Sequence, residues 1–420
     1  MTTTEPILLK RVGAMKDPTS VAEYVALGGF EALRKAITMD KADILQQVDD
    51  ANLRGRGGAA YPAGRKWRHL YGIEETPKYI VCNADEGEPG TFKDRVLMES
   101  DPLAVLEGMI IAGYLFDSHE GFIYVRGEYR AIPKVLDRAI ANAEAAGYLG
   151  KDILGVAGFD YSVSVISGAG AYVCGENSAL LNSVEGKTGR PRVKPPHLAE
   201  VGLYSDPTLV NNVESFACVP VIVTMGGKAF LDLGTPDGGG TKLVALCGHA
   251  KNRGIYEVPL GTSFHDVLYS EEYGGGTSTG RPIGFVHVGG HSGPLAFPSQ
   301  FDVPFSYQGF WDAGLAIGTG SVVVMDDSVS VVDYVKKVME FFVDESCGKC
   351  VPCRIGTVRL LELLEAFVDG SAKDGDIERL DGMSSNVMAL SACGLGQTVG
   401  VALHSALTHS RGDFEERIGA

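Results

Sequence analysis

Four cysteines near the C-terminal end of the chain place the tightest constraint on its fold. Cys347, Cys350 and Cys353 form a Cys-x-x-Cys-x-x-Cys run, and Cys393 follows forty residues after the last of them. Three thiolates at this spacing on a tight turn can converge on one cube of iron and sulfide, and a fourth from a distant helix completes the ligand set. This part of the chain must therefore fold so that a turn and a separate helix meet.

A structural zinc site is the main alternative for these cysteines. Zinc sites usually combine paired Cys-x-x-Cys units, or cysteine with histidine, whereas three cysteines stand in one run here. Radical enzymes that use S-adenosylmethionine have a wider first gap. The spacing therefore favours a [4Fe–4S] cluster. The remaining cysteines lie in apolar stretches and are predicted to be buried hydrophobic residues rather than ligands; they are Cys82, Cys174, Cys218 and Cys247.

Composition and charge exclude several classes of protein. The chain has 420 residues and a formal net charge of −16, whereas a general nucleic-acid-binding protein has a basic face; we expect no nucleic-acid partner. The N-terminus lacks the pattern of a signal peptide, and the longest apolar run, around 108–116, is far too short to span a membrane. We expect a cytoplasmic protein that meets membranes only through partners, and its eight cysteines favour metal or redox chemistry over disulfides.

Alternating strand and helix patterns predict an α/β unit in the first part of the chain, which we delimit as a domain at 1–240. Three helices are predicted before the first strand, at 21–27, 29–38 and 41–51. Strands are predicted at 78–83, 121–125 and 161–166, and helices at 103–116, 131–146 and 177–184.

Two further domains are predicted after a glycine-rich linker. Residues 241–325 have strand patterns at 242–246 and 284–288, separated by glycine turns, and are predicted to form a small α/β domain of the β-grasp kind. Residues 326–420 have apolar faces at helical spacing and are predicted to form a helical bundle, with helices at 329–343, 356–368 and 383–404.

Two glycine-rich loops and an acidic loop are the candidate binding segments of the first domain. The loop at 54–67 combines glycines with basic side chains, a composition that favours an anion or nucleotide site over a simple turn. A second glycine loop at 168–178 leads into a helix. The acidic loop at 83–95 has three carboxylates in four positions. A divalent-metal site, hydrogen bonds to flavin or ribose hydroxyls, and a solvated turn all remain open for it.

Five motifs, taken together and in order, resemble a known family. They are RGRGGAAYPAGRKW, NADEGEPGTFKDR, GAGAYVCGENSALLNSVEGK, NNVES and ESCGKCVPCRIGT. The chain is similar to the NADH-oxidising flavoprotein subunit of respiratory complex I, the 51 kDa type, which recurs in NAD(P)-linked hydrogenases, formate dehydrogenases and electron-bifurcating complexes. The resemblance implies a Rossmann-like FMN-binding domain, then a ubiquitin-like (SLBB) domain, then a helical bundle that binds a [4Fe–4S] cluster.

The resemblance also implies which residues bind these groups. The residues at FMN-binding positions are Gly55, Arg56, Gly57, Gly58, Lys66, Asn83, Asp85, Tyr172, Gly175, Glu176, Asn211 and Asn212. Glu86 and Glu88 are expected at the face shared by flavin and nicotinamide, and Lys194 near the dinucleotide. The cluster ligands are the cysteines at 347, 350, 353 and 393. No catalytic acid or base is expected.

The chain departs from the family pattern in the part that contacts adenosine. The aromatic residue after the first glycine pair is kept as Tyr61, but His69 and His197 stand where phenylalanines usually flank the adenine. Asn177 replaces a glutamate that accepts from the ribose and repels a 2′-phosphate. The choice between NADH and NADPH therefore stays open, with NADH favoured.

The expected function is that of a diaphorase-type subunit of a larger complex. It would exchange a hydride between NAD(P)H and FMN and pass single electrons through the cluster. The expected partners are a thioredoxin-like [2Fe–2S] subunit and further iron–sulfur or catalytic subunits. The alternative is an electron-transfer scaffold that keeps FMN and cluster but has weak or no dinucleotide binding. A zinc protein with a nucleotide-sensing domain is a third hypothesis.

Overall fold

A parallel four-stranded sheet lies at the centre of the first of two units into which the chain divides. The computed structural model describes residues 5–419, and the first unit takes in the chain as far as Gly87, then Phe92–Val244 and Glu257–Gly261. Its strands are β1 (Tyr79–Ala84), β2 (Glu120–Val125), β3 (Ser162–Ser167) and β4 (Thr208–Asn212). Their order is β3-β2-β1-β4, and all neighbours are parallel. The predicted α/β fold with Rossmann-like character is confirmed.

Helices precede and connect these strands. They are α1 (Val21–Ala26), α2 (Glu31–Ala36), α3 (Lys41–Asp50), α4 (Ala63–Tyr71), α5 (Lys93–Ser100), α6 (Pro102–Phe116), α7 (Ile132–Ala145), α8 (Asn177–Val184), α9 (Val213–Met225) and α10 (Gly227–Asp232). The sequence patterns located most of them but missed α4, α5, α9, α10 and strand β4.

Helix α6 explains much of the core of this unit. It is apolar on all sides, and every residue except Tyr114 is buried, as expected for a helix packed on several faces. Its single charged residue is Glu107, whose carboxylate accepts hydrogen bonds from the Tyr24 hydroxyl at 2.6 Å and from the backbone N–H groups of Phe30 and Leu33 at 3.0 Å each. The buried charge is thereby compensated.

The strand order places a ligand site at a defined point of the sheet. Moving along the chain, the sheet grows from β1 to β2 and β3 on one side and then adds β4 on the other side of β1. In open parallel sheets, ligands bind at the carboxyl ends of strands beside such a reversal. Here the carboxyl ends of β1 and β4 place Asn83 beside Asn212, and Cys82 beside Asn211.

Five further strands form a mixed sheet. They are β5 (Thr241–Gly248), β6 (Gly254–Pro259), β7 (Ile283–Val288), β8 (Leu295–Ala296) and β9 (Ser321–Asp326), in the order β6-β5-β9-β7-β8. The first and last of these strands, β5 and β9, are parallel neighbours, and β7 is antiparallel to β9. Two short helices, α11 (Phe264–Tyr269) and α12 (Tyr307–Asp312), belong to the same region. The β-grasp prediction is confirmed, although the sequence patterns found only β5 and β7.

The C-terminal region is helical, as predicted. Its helices are α13 (Val331–Glu345), α14 (Val351–Val368), α15 (Asp376–Leu390), α16 (Gly394–Thr398), α17 (Val401–His409) and α18 (Arg411–Glu415). The second unit comprises Glu88–Thr91, Ala245–Tyr256 and the chain from Thr262 onward, so the boundary predicted between the second and third domains stays a prediction.

One predicted helix was wrong. Residues 383–404 have continuous apolar spacing, but the structure breaks them into the end of α15, all of α16 and the start of α17. The break occurs at Ser391 and Cys393, both of which have extended backbone. Periodicity detects a buried face and cannot detect an extended turn between two helices that share that face. Within residues 5–419, no helix is both long and apolar enough to cross a membrane.

Candidate functional site

A cavity of about 270 Å³ lies in the first unit, at the carboxyl ends of β1 and β4. This volume is close to the lower limit, roughly 300 Å³, of small-molecule pockets. Predicted residues that line it are Gly55, Gly57, Tyr61, Lys66, Asn83, Gly175, Glu176, Asn177, Lys194, Asn211 and Asn212. The sequence analysis missed five other lining residues, Ala59, Ala60, Ala63, Val210 and Ser215. Ser215 belongs to the NNVES motif, three residues after an asparagine at a strand–helix junction, and that spacing could have identified it.

Side-chain amides hold the two sides of this cavity together. The Asn83 Nδ2 group at the end of β1 donates to the Gly175 carbonyl at 2.8 Å and to the Asn177 Oδ1 atom at 3.1 Å. Asn212 at the end of β4 is the N-cap of α9, and its Oδ1 accepts from the Glu214 N–H at 3.0 Å. The sheet thus fixes amide groups that can bind the polar edge of a flat heterocycle or a hydroxylated chain.

Lys66 gives the cavity a positive charge. Its Nζ donates to the Val210 carbonyl at 2.8 Å. Burial lowers the pKa of this lysine to about 8, and the nearby Lys194 adds to the decrease. Its polar partner is a neutral carbonyl, so an anionic ligand would gain a charge-assisted hydrogen bond here.

Glu176 and Lys194 form an ion pair at the cavity wall. Their charged atoms are 2.6 Å apart, and the second oxygen of Glu176 accepts from the N–H groups of Ser178 and Ala179 at the start of α8. Burial would raise the pKa of Glu176, but these hydrogen bonds and Lys194 lower it below its usual value. A fixed carboxylate therefore lies beside the two lysines. The donor set of amides and lysines fits a flavin mononucleotide.

Eight of the residues expected to bind flavin or nucleotide lie outside the wall of this cavity. They are Arg56, Gly58, Asp85, Glu86, Glu88, Tyr172, His69 and His197. Arg56 is completely buried, and its Nη2 donates to the Gly239 carbonyl at 2.7 Å. The imidazoles of His69 and His197 are 6.0 Å apart, and His69 is 3.4 Å from the Glu200 carboxylate.

The two glutamates of the acidic loop are hydrogen-bonded to protein groups. Glu86 is buried and accepts from the N–H groups of Asp94 and Arg95, at 2.7 and 3.0 Å, and from the Tyr129 hydroxyl at 3.0 Å. Burial raises the pKa of Glu86 to about 7, and the charge of Asp94 adds to the rise. Glu88 accepts from the backbone N–H and the hydroxyl of Ser292, each at 3.0 Å. The solvated-turn interpretation does not fit Glu86.

The four predicted cluster cysteines converge in the second unit. Cys350 is the N-cap of α14, Cys353 lies in its first turn, and Cys393 is the N-cap of α16. Burial raises the pKa of the Cys353 thiol to about 11, and the neighbouring thiols of Cys350, Cys393 and Cys347 add to the rise. The Cys393 sulfur accepts hydrogen bonds from the backbone N–H groups of Leu395 and Gly396.

Two glycines allow the thiols to approach one another. Gly348, between the first two cysteines, has φ +71°, a left-handed conformation that side chains disfavour. A Cβ on Gly396 would lie 2.4 Å from the Ser391 hydroxyl and 3.1 Å from the Cys353 Cβ. Helix α16 can therefore bring Cys393 to the cysteine turn only because position 396 has no side chain.

Four cysteine thiols are a donor set that fits an iron–sulfur cluster. In residues 5–419, no three His, Cys, Asp or Glu side chains are close enough together to hold one ion. In a four-iron cluster each thiolate binds a different iron, so its sulfurs are spread more widely than the ligands of one zinc ion. The Cys353 thiol lies close enough to the other three for them to raise its pKa, and a four-thiol set of this kind matches the first case.

Comparisons with known proteins agree with both sites. The family model of the Nuo51 FMN-binding domain matches residues 48–221, and that of the NADH-ubiquinone oxidoreductase-F iron-sulfur binding region matches residues 333–417. The chain is 42% identical over 418 residues to the second F-type subunit of NADH-quinone oxidoreductase from Rhizobium meliloti, covering 99% of this chain and 98% of that protein. It is 41% identical over 402 residues to the NADP-reducing hydrogenase subunit HndC of Solidesulfovibrio fructosivorans, covering 96% and 81%.

A solved structure extends the similarity to the whole fold. The NAD⁺-reducing [NiFe]-hydrogenase in the H₂-reduced state matches with a TM-score of 0.85 and 34% sequence identity, over 99% of this chain and 67% of that chain. Sequence and fold thus agree along nearly the full length, and both cofactor regions fall within the match. This chain belongs to the complex I 51 kDa-type family of NADH-oxidising flavoprotein subunits, which includes the F-type subunits of NADH-quinone oxidoreductases.

Proposed function

We infer that this chain is the flavin- and cluster-binding subunit of an NAD(P)H-dependent oxidoreductase. It exchanges a hydride between the nicotinamide nucleotide and FMN and passes electrons on through a [4Fe–4S] cluster. The main support is that one chain has both an amide- and lysine-lined cavity at the strand-order reversal and four convergent thiols. Membership of the family supports the same function, and no observation favours a scaffold without dinucleotide binding.

Each site has a distinct task in this function. FMN accepts electrons in pairs and releases them one at a time, which is the form an iron–sulfur cluster can accept. The residues of the cavity have only to bind and orient the cofactor and the nucleotide. Lys66 is suited to an anionic phosphate, and the amides of Asn83, Asn211 and Asn212 to the polar atoms of the flavin. No side chain is required as a general acid or base.

The nucleotide is proposed to be NADH, with NADPH also accepted. Asn177 lines the cavity as the first residue of α8, and its Oδ1 accepts from Asn83. A neutral amide at this position does not repel a 2′-phosphate, whereas a carboxylate would. Replacement of Asn177 by glutamate should therefore reduce NADPH use more than NADH use. Equal effects on both nucleotides would contradict this role for Asn177.

The proposed partners are iron–sulfur subunits, including a thioredoxin-like [2Fe–2S] protein. The relatives named above are subunits of larger oxidoreductases. Exposed apolar side chains lie close to the cluster cysteines in the sequence, and we call them the apolar patch. Val351, Ile355 and Val358 lie on one face of α14, and Leu390 ends α15, with Val351 72% and Leu390 67% exposed. Large exposed apolar groups mark interaction sites, and we propose that an electron-accepting subunit binds this patch. The complex is proposed to be cytoplasmic.

An anaerobic absorption experiment tests the function directly. The purified chain, in its complex, should show flavin and iron–sulfur absorbance, and addition of NADH should bleach the flavin bands. NADPH is added to a parallel sample, and the iron and flavin content per chain is measured. A flavin that neither nucleotide bleaches would support the scaffold hypothesis instead, and a colourless protein that contains zinc would exclude both.

A further inference from the structure

Six ionisable side chains form a continuous buried chain within the first unit, and the function described so far uses none of their charges. They are Arg56, Glu86, Lys93, Asp94, Glu214 and Lys242, and we call them the buried charge chain. All six are almost completely inaccessible to solvent. They come from separate elements: the first glycine loop, the acidic loop, α5, α9 and β5. Burial of so many charges is costly unless they are paired.

Glu214 is the central member of the chain. Its carboxylate is 2.6 Å from the Lys242 Nζ, 3.0 Å from the Lys93 Nζ and 4.0 Å from the Arg56 Nε. Lys93 continues the chain, because its Nζ is also 2.6 Å from Asp94. The Asp94 backbone N–H then donates to the Glu86 carboxylate at 2.7 Å. An unbroken series of contacts thus connects Lys242 at one end to Glu86 at the other.

The cavity wall contacts this chain at two points. Asn212 lines the cavity, and its Nδ2 donates to Asp94 at 2.7 Å while its Oδ1 accepts from Lys93 at 3.4 Å. Ser215 lines the cavity too, and its hydroxyl accepts from the Arg56 backbone N–H at 3.0 Å. A charge that appears on a ligand in the cavity therefore lies one side chain away from the buried charge chain.

We propose that the buried charge chain compensates the charge that the bound flavin gains on reduction, by taking up a proton at Lys242 or Glu86. The proposal rests on the function inferred above, since it requires a flavin in the cavity. The proton comes from solvent, and its uptake adds one positive charge near the cavity, or removes one negative charge. Neither residue need touch the flavin, so both act as positioning residues for charge.

Lys242 and Glu86, the two ends of the buried charge chain, are the members whose charges are not cancelled by the others. Arg56 and Lys93 are cationic, Asp94 and Glu214 are anionic, and these four charges cancel. The protonation states of Lys242 and Glu86 therefore decide the net charge of the buried charge chain. Burial lowers the pKa of Lys242 to about 7, against the opposing effect of Glu214, and burial raises that of Glu86 to about 7. Both groups exchange protons near neutral pH, where a change of charge in the cavity shifts them most.

The neighbouring groups that have a shifted pKa keep their ordinary charge near neutral pH. Burial would lower the pKa of Lys93, but Asp94, Glu214 and Glu86 raise it above its usual value. Burial would raise the pKa of Glu214, but Lys242, Lys93 and Arg56 lower it. Five further neighbours also have a raised pKa and keep their ordinary protonation. Cys82 lies beside Asp94, and Cys218 lies beside Arg56 and Glu257. Tyr129, Arg95 and Arg126 lie beside Glu86.

Flavin reduction and protonation of the buried charge chain are coupled, and such coupling is reciprocal. The protonation state of the buried charge chain must therefore change the midpoint potential of the flavin. Wild-type Lys242 is mostly charged at about pH 6 and mostly neutral at about pH 8. Lys242→Arg fixes a positive charge at both pH values, and Lys242→Met removes it at both. A positive charge stabilises the reduced flavin, which is the more negative form, and so raises the potential.

The test is a redox titration of flavin absorbance in the flavin-loaded chain within its complex, at about pH 6 and about pH 8. Lys242→Arg should match the wild type at the lower pH and have a higher potential at the higher pH. Lys242→Met should have a lower potential at the lower pH and match the wild type at the higher pH. Exposed Lys228 provides the matched control, because Lys228→Met should follow the wild type at both.

The outcomes separate this proposal from the function on which it rests. A wild-type chain that binds no flavin would overturn the function. Glu86→Gln, which is neutral at both pH values, is titrated in parallel, because it should match the wild type at the lower pH and have a higher potential at the higher pH. Lys242 and Glu86 variants that all keep full flavin content and the wild-type potential at both pH values would overturn the charge compensation alone. If Lys242→Met does not retain flavin, Lys242→Gln takes its place, since glutamine keeps a donor for Glu214. A purely structural role for Lys242 predicts a loss of flavin or of thermal stability, but not these pH-dependent differences in midpoint potential between the variants and the wild type.

Discussion

Lys66 decides which charge the cavity can bind, and burial makes its own charge dependent on pH. A lysine in water is protonated up to a pKa of about 10.4, whereas burial lowers the pKa of Lys66 to about 8. Its hydrogen bond to the Val210 carbonyl fixes its position but supplies no opposite charge. An anionic ligand favours the protonated lysine, so ligand binding and protonation of Lys66 support each other.

We therefore predict that the affinity of the flavin-free chain for FMN falls as the pH rises through about 8. Above this pH, binding must first protonate Lys66, which costs about 1.4 kcal/mol, or roughly tenfold in affinity, for each pH unit. Lys66→Arg, which keeps its charge, should abolish this decrease, and Lys66→Met should bind weakly at every pH. Quenching of FMN fluorescence measures the affinity. Arg65→Met is the control on an exposed neighbour; an unchanged decrease in Lys66→Arg would contradict the prediction.

At the scale of elements, cysteines at the N-caps of two helices bring the four thiols together. Cys350 and Cys393 are N-cap residues of α14 and α16, where the backbone is extended and a side chain can project away from the helix axis. The N-terminus of a helix favours negative charge, and the N–H groups of α16 already bind the Cys393 sulfur. Both features favour the thiolate of Cys393 and oppose burial, which raises the pKa of this thiol above its usual value.

Gly396 tests the close approach of α16 to the cysteine turn. Gly396→Ala places a Cβ 2.4 Å from the Ser391 hydroxyl, and relief of such an overlap costs typically about 1–3 kcal/mol. We expect a lower iron content per chain, with the flavin content unchanged. Gly394→Ala is the matched control two residues earlier, because its Cβ would meet nothing within 4 Å. Equal iron content in the two variants would contradict the prediction, because it would show that the added Cβ at position 396 does not disturb cluster binding.

The exposed face of α14 gives a second prediction at this scale. Ile355→Glu places a charge in the apolar patch proposed to bind the electron-accepting subunit, and desolvation of that charge should weaken the complex. We expect slower electron delivery to the partner and unchanged flavin reduction by NADH, measured by stopped-flow absorbance. Val368→Glu alters an exposed residue at the other end of the same helix and should have no effect. If both variants transfer electrons at the wild-type rate, the patch is not the docking surface.

At the scale of the whole molecule, the proposed flavin site and the proposed cluster site lie in different units. The cavity residues all belong to the first unit, and the four cysteines all belong to the second. Each task depends on contacts within its own unit: amides and lysines around the cavity, and thiols, helix ends and two glycines around the cluster. Flavin reduction and onward electron transfer should therefore be separable by mutation.

Cys393→Ser should separate the two tasks. Loss of one thiolate ligand should remove or destabilise the cluster, so we expect NADH to bleach the flavin as before while reduction of the partner-linked acceptor falls to background. Iron analysis and parallel assays with a small-molecule acceptor and with the partner measure the three quantities. Cys247→Ala, which alters a half-buried cysteine outside the cluster, should keep all of them. Retention of iron and of partner reduction in Cys393→Ser would contradict the assignment.

Much of this architecture could be predicted from local patterns. Helices α6, α7 and α8 and strands β1, β2 and β3 were predicted within one residue or so. Helix α7 and strand β3 have a clear period, and α6 and β1 are apolar runs of helix length and strand length. Strand β4 and helix α9 were missed, although they supply Asn211, Asn212 and Ser215 to the cavity. Strand β4 has only two apolar residues, Leu209 and Val210, which is too few to show a strand period. Helix α9 is largely apolar, and an apolar run without a period does not distinguish a buried helix from a buried strand.

The sequence by itself determined the chemistry of this protein. Thiols at fixed spacing, glycines beside lysines and an alternating α/β pattern depend only on residue type and order. Only the tertiary structure decided which side chains meet: the strand order aligns Asn83 with Asn212, and α5, α9 and β5 bring Lys93, Glu214 and Lys242 into one buried chain. Contacts of this kind join residues far apart in the sequence, and their strength comes from exclusion of water, a property of the folded core that no local pattern contains.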